Sequence, residues 1–184
     1  MMKKIKKVCI YIISVLLVVI FISRVIYINK KYPVAEKVEY SLNENIKHKG
    51  LSINIVSKEI IDDKEFFEKY GSEELIKWYE AKNENEESKL CVIKININNS
   101  DGSNYDNYLN SAHIYSNGFS NGVNTWLCRA LNNGQRINST CSEYKYIFSI
   151  PQSLMSSDKW KKVYNLKYSL ILSDMSEVTK IDLW

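Results

Sequence analysis

The first 31 residues contain no aspartate or glutamate, and nothing between Val8 and Ser23 carries a charge. The same region lacks the marks of a segment destined for removal. Ile22-Ser23-Arg24-Val25 supplies no small-x-small cleavage site, and the apolar run exceeds the roughly 7–15 residues of a signal-peptide core. Cys9 stands at the start of that run rather than after it, which excludes a lipoprotein signal. The glycine and early acidic residue of a pilin-like leader are missing too. Histidine is scarce: with only His48 and His113, and no C-x-x-C pair, a structural zinc site has no ligand set. Four cysteines in 184 residues do not make a disulfide framework. Neither a metal nor a cofactor is expected.

In place of charge stands an apolar run, residues 8–28, opening at Val8 and closing at Ile28. As a helix rising about 1.5 Å per residue it would cross a hydrocarbon core of roughly 30 Å. Arg24, near its outer end, reaches the headgroups while its methylenes stay in lipid, and Tyr27 and Tyr32 lie where interfacial aromatics belong. The pattern is that of an uncleaved signal anchor held in the lipid bilayer. Residues 1–7 form a cytoplasmic basic tail, 8–28 the span, 29–37 a juxtamembrane stalk containing Pro33, and 38–184 an extracytoplasmic domain. Lys3, Lys4, Lys6 and Lys7 before the span, against Arg24, Lys30 and Lys31 at its far end, favour this orientation. The net charge of +4 belongs to the leader, because residues from Tyr32 onward hold 18 basic against 21 acidic side chains, a net of −3. Such a domain lacks the cationic face that nucleic-acid binding needs, so no nucleic-acid partner is expected.

Beyond the anchor the hydrophobic period is mostly two. Val38, Tyr40 and Leu42 alternate with polar residues, a turn follows at Lys49-Gly50, and Leu51, Ile53 and Ile55 repeat the alternation. The period then lengthens. A helical insertion is expected over about 62–82, with Asp62 as a cap, Phe66, Phe67 and Tyr70 on one side, and a second helix carrying Leu75, Ile76, Trp78 and Tyr79. Residues 89–98 read as the clearest strand, with Cys91, Ile93, Ile95 and Ile97 on one face. Residues 105–124 read as loop broken by an edge strand at 112–115, and 124–130 as a strand leading to the turn Asn132-Asn133-Gly134. Tyr144, Tyr146, Phe148 and Ile150 form another strand, closed by Pro151. Leu166 to Leu172 and Ile181 to Leu183 suggest a closing hairpin. The sum is a mainly β domain of two antiparallel sheets packed face to face.

Three sets of residues invite a functional reading. Phe66, Trp78 and Tyr79 are either a lid on the core or a ligand-binding platform. Cys128 and Cys141 face each other if the chain turns at residues 133–136, and are either a disulfide pair or free buried thiols. His113 is a candidate acid/base beside Ser111 or Ser116, with Asp106 to orient it, though the loop has no nucleophile-elbow pattern. Asp101, Ser103 and Asp106 lack the central glycine and terminal glutamate of a calcium loop.

Val38-Glu39-Tyr40-Ser41-Leu42-Asn43 before Gly50, the strand ending Lys94-Ile95-Asn96-Ile97-Asn98-Asn99, and the closing Tyr168-Ser169-Leu170-Ile171-Leu172-Ser173 with Lys180-Ile181-Asp182-Leu183 resemble a family. Its members are small single-pass membrane-anchored proteins of Gram-positive bacteria with an immunoglobulin-like β-sandwich domain of unknown function. Ser173-Asp174-Met175 departs from the proline usual there. The resemblance implies a fold and a cell-surface setting and brings no catalytic residues. The function expected is a non-catalytic extracytoplasmic binding or accessory module, meeting a peptide, an envelope polymer or a neighbouring membrane protein. The rival expectation is a cell-envelope hydrolase using His113.

Overall fold

A computed structural model describes residues 2–31, 35–73, 75–76, 87–174 and 176–184, in two units, 1–36 and 37–184. The first unit holds α1, Met2–Lys31. Its stretch Ile13–Lys31 has a mean hydropathy of 1.9 and none of it is buried in the protein, so this helix is long and apolar enough to span a membrane. Val15, Leu16, Leu17, Val18 and Val19 are consecutive and all exposed, so the apolar surface runs right round the helix instead of forming a stripe that a protein core would cover. The helix continues through residues 29–31, and β1 (Glu36–Ser41) begins before residue 37, so the stalk is shorter than its sequence boundaries; Pro33 lies outside the described residues.

The second unit is mainly β and has two sheets. One runs β1-β9-β8-β5-β6, comprising besides β1 the strands Glu177–Asp182, Ser169–Ser173, His113–Ser116 and Phe119–Gly122. The other runs β2-β3-β4-β7, comprising Ile46–His48, Leu51–Asp62, Ser88–Asn99 and Glu143–Pro151. Side chains from both sheets share one apolar cluster. Ile53, Ile93, Ile95, Tyr146 and Phe148 come from the second sheet, and Ile114, Leu170, Leu172 and Ile181 from the first. The closing hairpin pairs as its alternation predicts, Leu170 opposite Ile181 and Ile171 opposite Lys180.

Two tight turns show what the glycines do. His48 pairs with Leu51, leaving Lys49 and Gly50 as a two-residue loop in which Lys49, not the glycine, takes the positive φ of 54°. Gly50 is required by close approach: a Cβ there would stand 2.2 Å from the Asp101 carboxyl carbon. Ser116 pairs with Phe119 across Asn117-Gly118, both at positive φ, the turn that suits hairpin twist. That hairpin makes β6 the sheet edge and places β5 inside, between β6 and β8, where an edge strand in a loop was expected.

The long strand β3 changes face at a bulge between Ile55 and Ser57, with Val56 turned out to solvent. Beyond it Lys58 and Ile60 lie opposite Ile93 and Cys91, while Ile61 lies opposite Leu90. Lys58 on that buried register places its ammonium 4.1 Å from the Trp184 ring centroid, and burial lowers its pKa. Helix α2 (Asp63–Tyr70) follows immediately and packs on β3 and β4. Asp62 precedes it, but its side chain does not cap; it bonds Lys89 and, at 2.8 Å, the Tyr164 hydroxyl.

Residues 124–130 are not the expected strand. They form helix α4, Thr125–Leu131, which follows α3, Asp106–Asn110. Asn124 caps α4, its side chain accepting from the Leu127 N–H at 3.1 Å. Trp126 and Cys128, two residues apart, fall on different sides of the helix: Trp126 is exposed, while Leu127 and Cys128 are buried together.

Candidate binding site

The segment carrying α4 lies along the outer edge of β7 and closes it mainly with side chains. The Asn132 amide accepts from the Lys145 N–H and donates to the Lys145 carbonyl, both at 2.9 Å, imitating a strand peptide. The Cys128 thiol accepts from the Ile147 N–H at 3.1 Å, and the Asn121 amide donates to the Ser149 carbonyl at 2.7 Å. An exposed strand edge is thereby protected. After Asn132, Asn133 and Gly134 take φ of 55° and 78°, and the Gly134 N–H returns to the Arg129 carbonyl at 2.7 Å. This left-handed pair reverses the chain, and Arg129 and Arg136, on either side of it, line one cavity.

Between this reversal and β7 lies a cavity of about 270 Å³. Its floor is Ile137, Tyr144 and Tyr146, all buried, with half-buried Val123 beside them. Its mouth is Arg129, Arg136, Thr125 and Asn110, half-buried in the first case and exposed in the others. The chain has three arginines, and the two beyond the anchor meet here. Neither guanidinium has an ion-pair partner among the described residues, and no carboxylate lines the cavity. The Tyr146 hydroxyl is spent on the Leu109 carbonyl at 2.7 Å. Burial raises the pKa of both tyrosines, so neither serves as an anion at neutral pH. The Asn110 amide is likewise engaged, by the Asp106 carbonyl at 2.7 Å.

A second polar cluster, missed in the sequence, closes one end of the unit. His48, only 1% exposed, has Nε2 2.9 Å from Asp174 and Nδ1 3.0 Å from Glu177, while its ring stacks on Tyr108 at 3.9 Å. Neither approach is aligned as a hydrogen bond; each is a close contact between a ring nitrogen and a carboxylate. Asp174 is held well below the ordinary carboxylate range: burial works against its charge, but donors from Ser176, Glu177 and Lys49 outweigh it. The cluster ties β2 to the β8–β9 turn across the two sheets.

The other candidate residues fall elsewhere. Phe66 is fully buried against Phe67 and Tyr70, so it belongs to the core and not to a platform; Trp78 and Tyr79 lie outside the described residues. Cys128 and Cys141 are free thiols, since a helix, and not a hairpin strand, carries Cys128. Burial pushes the Cys128 thiol up to about 12, and Cys141 instead approaches the Asn138 side chain at 3.4 Å. His113 sits 3.3 Å from the Ser111 carbonyl; the Ser111 hydroxyl donates to Tyr108 and accepts from the Ser173 N–H, both at 2.7 Å, and Asp106 accepts from Ser139. These three side chains therefore do not form a relay. Asp101 accepts from Tyr105 and Ser103 instead of pointing with Asp106 at a common centre. Among the described residues no group of three metal-ligating side chains converges.

Comparison with known proteins adds little to this geometry. The model of a domain of unknown function (DUF5028) matches residues 29–176. No curated protein matches. An uncharacterized β-sandwich protein of Clostridium difficile 630 is similar at 11% identity and a TM-score of 0.39, over 82% of this chain and 96% of that one, a likeness too loose to carry an argument.

Proposed function

The chain belongs to the DUF5028 family of domains of unknown function, and from that premise we propose that it is a membrane-anchored extracytoplasmic binding or accessory module. Its N-terminus is cytoplasmic, α1 stays in the bilayer as a single pass, and the two sheets form an immunoglobulin-like sandwich on the outer face of a Gram-positive cell. The module is non-catalytic and holds its ligand at the arginine-lined cavity. That cavity is the observation that carries the reading: two uncompensated guanidiniums over an apolar floor make a preformed recognition site. The apolar surface all round α1 supports the span, and the lysines before it support the orientation.

Protease added to intact cells tests the setting. The reading expects the folded unit to be shaved away, leaving a membrane-embedded fragment; protection until the cells are lysed would refute it. Thermal melting of the full chain with and without extracts of the cell envelope tests the binding half, with stabilisation expected in wild type and absent from Arg129→Gln.

A further inference from the structure

We infer that the cavity recognises a carboxylate carried on a short apolar or aromatic stem. This rests on the reading of the unit as a binding module and names the chemistry of its ligand.

The lining sorts by depth. Apart from half-buried Val123, its exposed and half-buried members are polar or cationic, and its buried members are Ile137, Tyr144 and Tyr146. A ligand that fills it therefore places charge at the mouth and apolar surface below. Guanidinium matches a carboxylate with two parallel donors, and two guanidiniums without protein counter-ions leave the charge of an incoming anion wanted rather than merely tolerated. The Thr125 hydroxyl, with no partner among the described residues, adds a donor at the same mouth. Inorganic phosphate or sulfate satisfies the arginines but leaves the aromatic floor in contact with water, whereas an apolar stem covers it. At about 270 Å³ the cavity holds one side-chain-sized group, so a longer ligand enters by its end. The surrounding surface sharpens the choice. The chain beyond residue 31 carries a net charge of −3, so this mouth is a local cationic point on an acidic unit, selective for a single compact anion over a polyanion.

The same chemistry has two sources, a free small acid and the C-terminal carboxylate of a peptide. Calorimetric titration of the full chain in non-ionic detergent separates them. Phenylacetate and a tripeptide ending in free phenylalanine are the probes, with phenylacetamide, the amidated tripeptide and inorganic phosphate as controls. Saturable binding of either acid, absent for its amide, is the expected result, and the tighter of the two acids identifies the source. Arg136→Gln, at an exposed position, should weaken binding at least tenfold with an unchanged melting temperature. Arg136→Lys should recover only part, because charge without the fork is not enough. Arg129→Gln provides a second, independent loss. Binding of phosphate but of neither acid overturns the inference and leaves a binding module with a different anion. Equal binding of acid and amide also overturns it. No binding of any probe, with arginine variants still abolishing stabilisation by envelope extract, overturns the inference alone; no effect in either assay overturns both readings.

Discussion

Replacing His48 by phenylalanine isolates the nitrogen–carboxylate contacts that tie the two sheets together. The substitution keeps a planar ring for the stack on Tyr108, 3.9 Å away and within 8° of parallel, and removes only the two nitrogens. It leaves Asp174 and Glu177, each about a fifth exposed, facing a ring with no polar nitrogen. Breaking a fully buried pair costs about 3–5 kcal/mol, but here water reaches both carboxylates and Asp174 keeps its donors from Ser176, Glu177 and Lys49. The expected loss is about 2 kcal/mol, which in a domain of this size lowers the melting temperature by roughly 4–8 °C. Urea or thermal unfolding of the full chain in detergent reads it. A loss below about 0.5 kcal/mol would mean that stacking and burial, not the nitrogen–carboxylate contacts, hold β2 to the β8–β9 turn. The pH dependence supplies a second arm. Asp174's folded pKa is depressed below the unfolded value of about 3.9, so its contribution is complete above about pH 4 and is lost as pH falls toward its folded value. Asp174→Asn should be less stable than wild type at neutral pH, with the gap narrowing on acidification; a constant gap would contradict the assignment.

Further perturbations address separate links. Asn132→Ala strips β7 of the amide that pairs with both Lys145 backbone groups and should cost about 2 kcal/mol in unfolding measurements, with increased aggregation from the uncovered edge. Gly50→Ala must displace Asp101 from its bond to Tyr105 and should cost about 1–3 kcal/mol, relieved if Asp101 is shortened to serine in the same chain. Alkylation at pH 8 mapped by mass spectrometry should modify the half-buried Cys141 well before Cys128 and Cys91, both buried and with thiol pKa values raised by that burial. His113→Ala should reduce stability by no more than about 1 kcal/mol and leave ligand binding intact, since among the described residues its ring makes one hydrogen bond, to a backbone carbonyl, and it does not line the cavity.

Strands with one buried face were legible because the alternation itself records the core. Cys91, Ile93, Ile95 and Ile97, and the Leu170 and Ile181 hairpin, needed nothing else. Where two signals overlap within a few residues, alternation misleads. Thr125–Leu131 is too short for its period to be read, and the available clue was Asn124 as a cap. The Asn117-Gly118 turn was a readable hairpin signal hidden in a polar stretch. The bulge at Val56 left no local mark, because it is fixed by the partner strand. The binding cavity was half legible. That only two arginines follow the anchor can be counted, and Asn133-Gly134 announces a reversal, but that the reversal brings both arginines into one cavity with Tyr144 and Tyr146 depends on how β7 is edged. His48 was invisible as a site because Asp174 and Glu177 lie over 120 residues away in the chain.

A photo-crosslinking residue in place of Thr125, at the cavity mouth, puts the central claim to its most direct trial in intact cells. After irradiation, protease added from outside should release the folded unit carrying a covalent adduct, and the adduct should vanish in the Arg129→Gln, Arg136→Gln double variant. An adduct of equal yield in that variant, or one found only on chains the external protease cannot reach, would contradict a surface module that binds through its paired arginines.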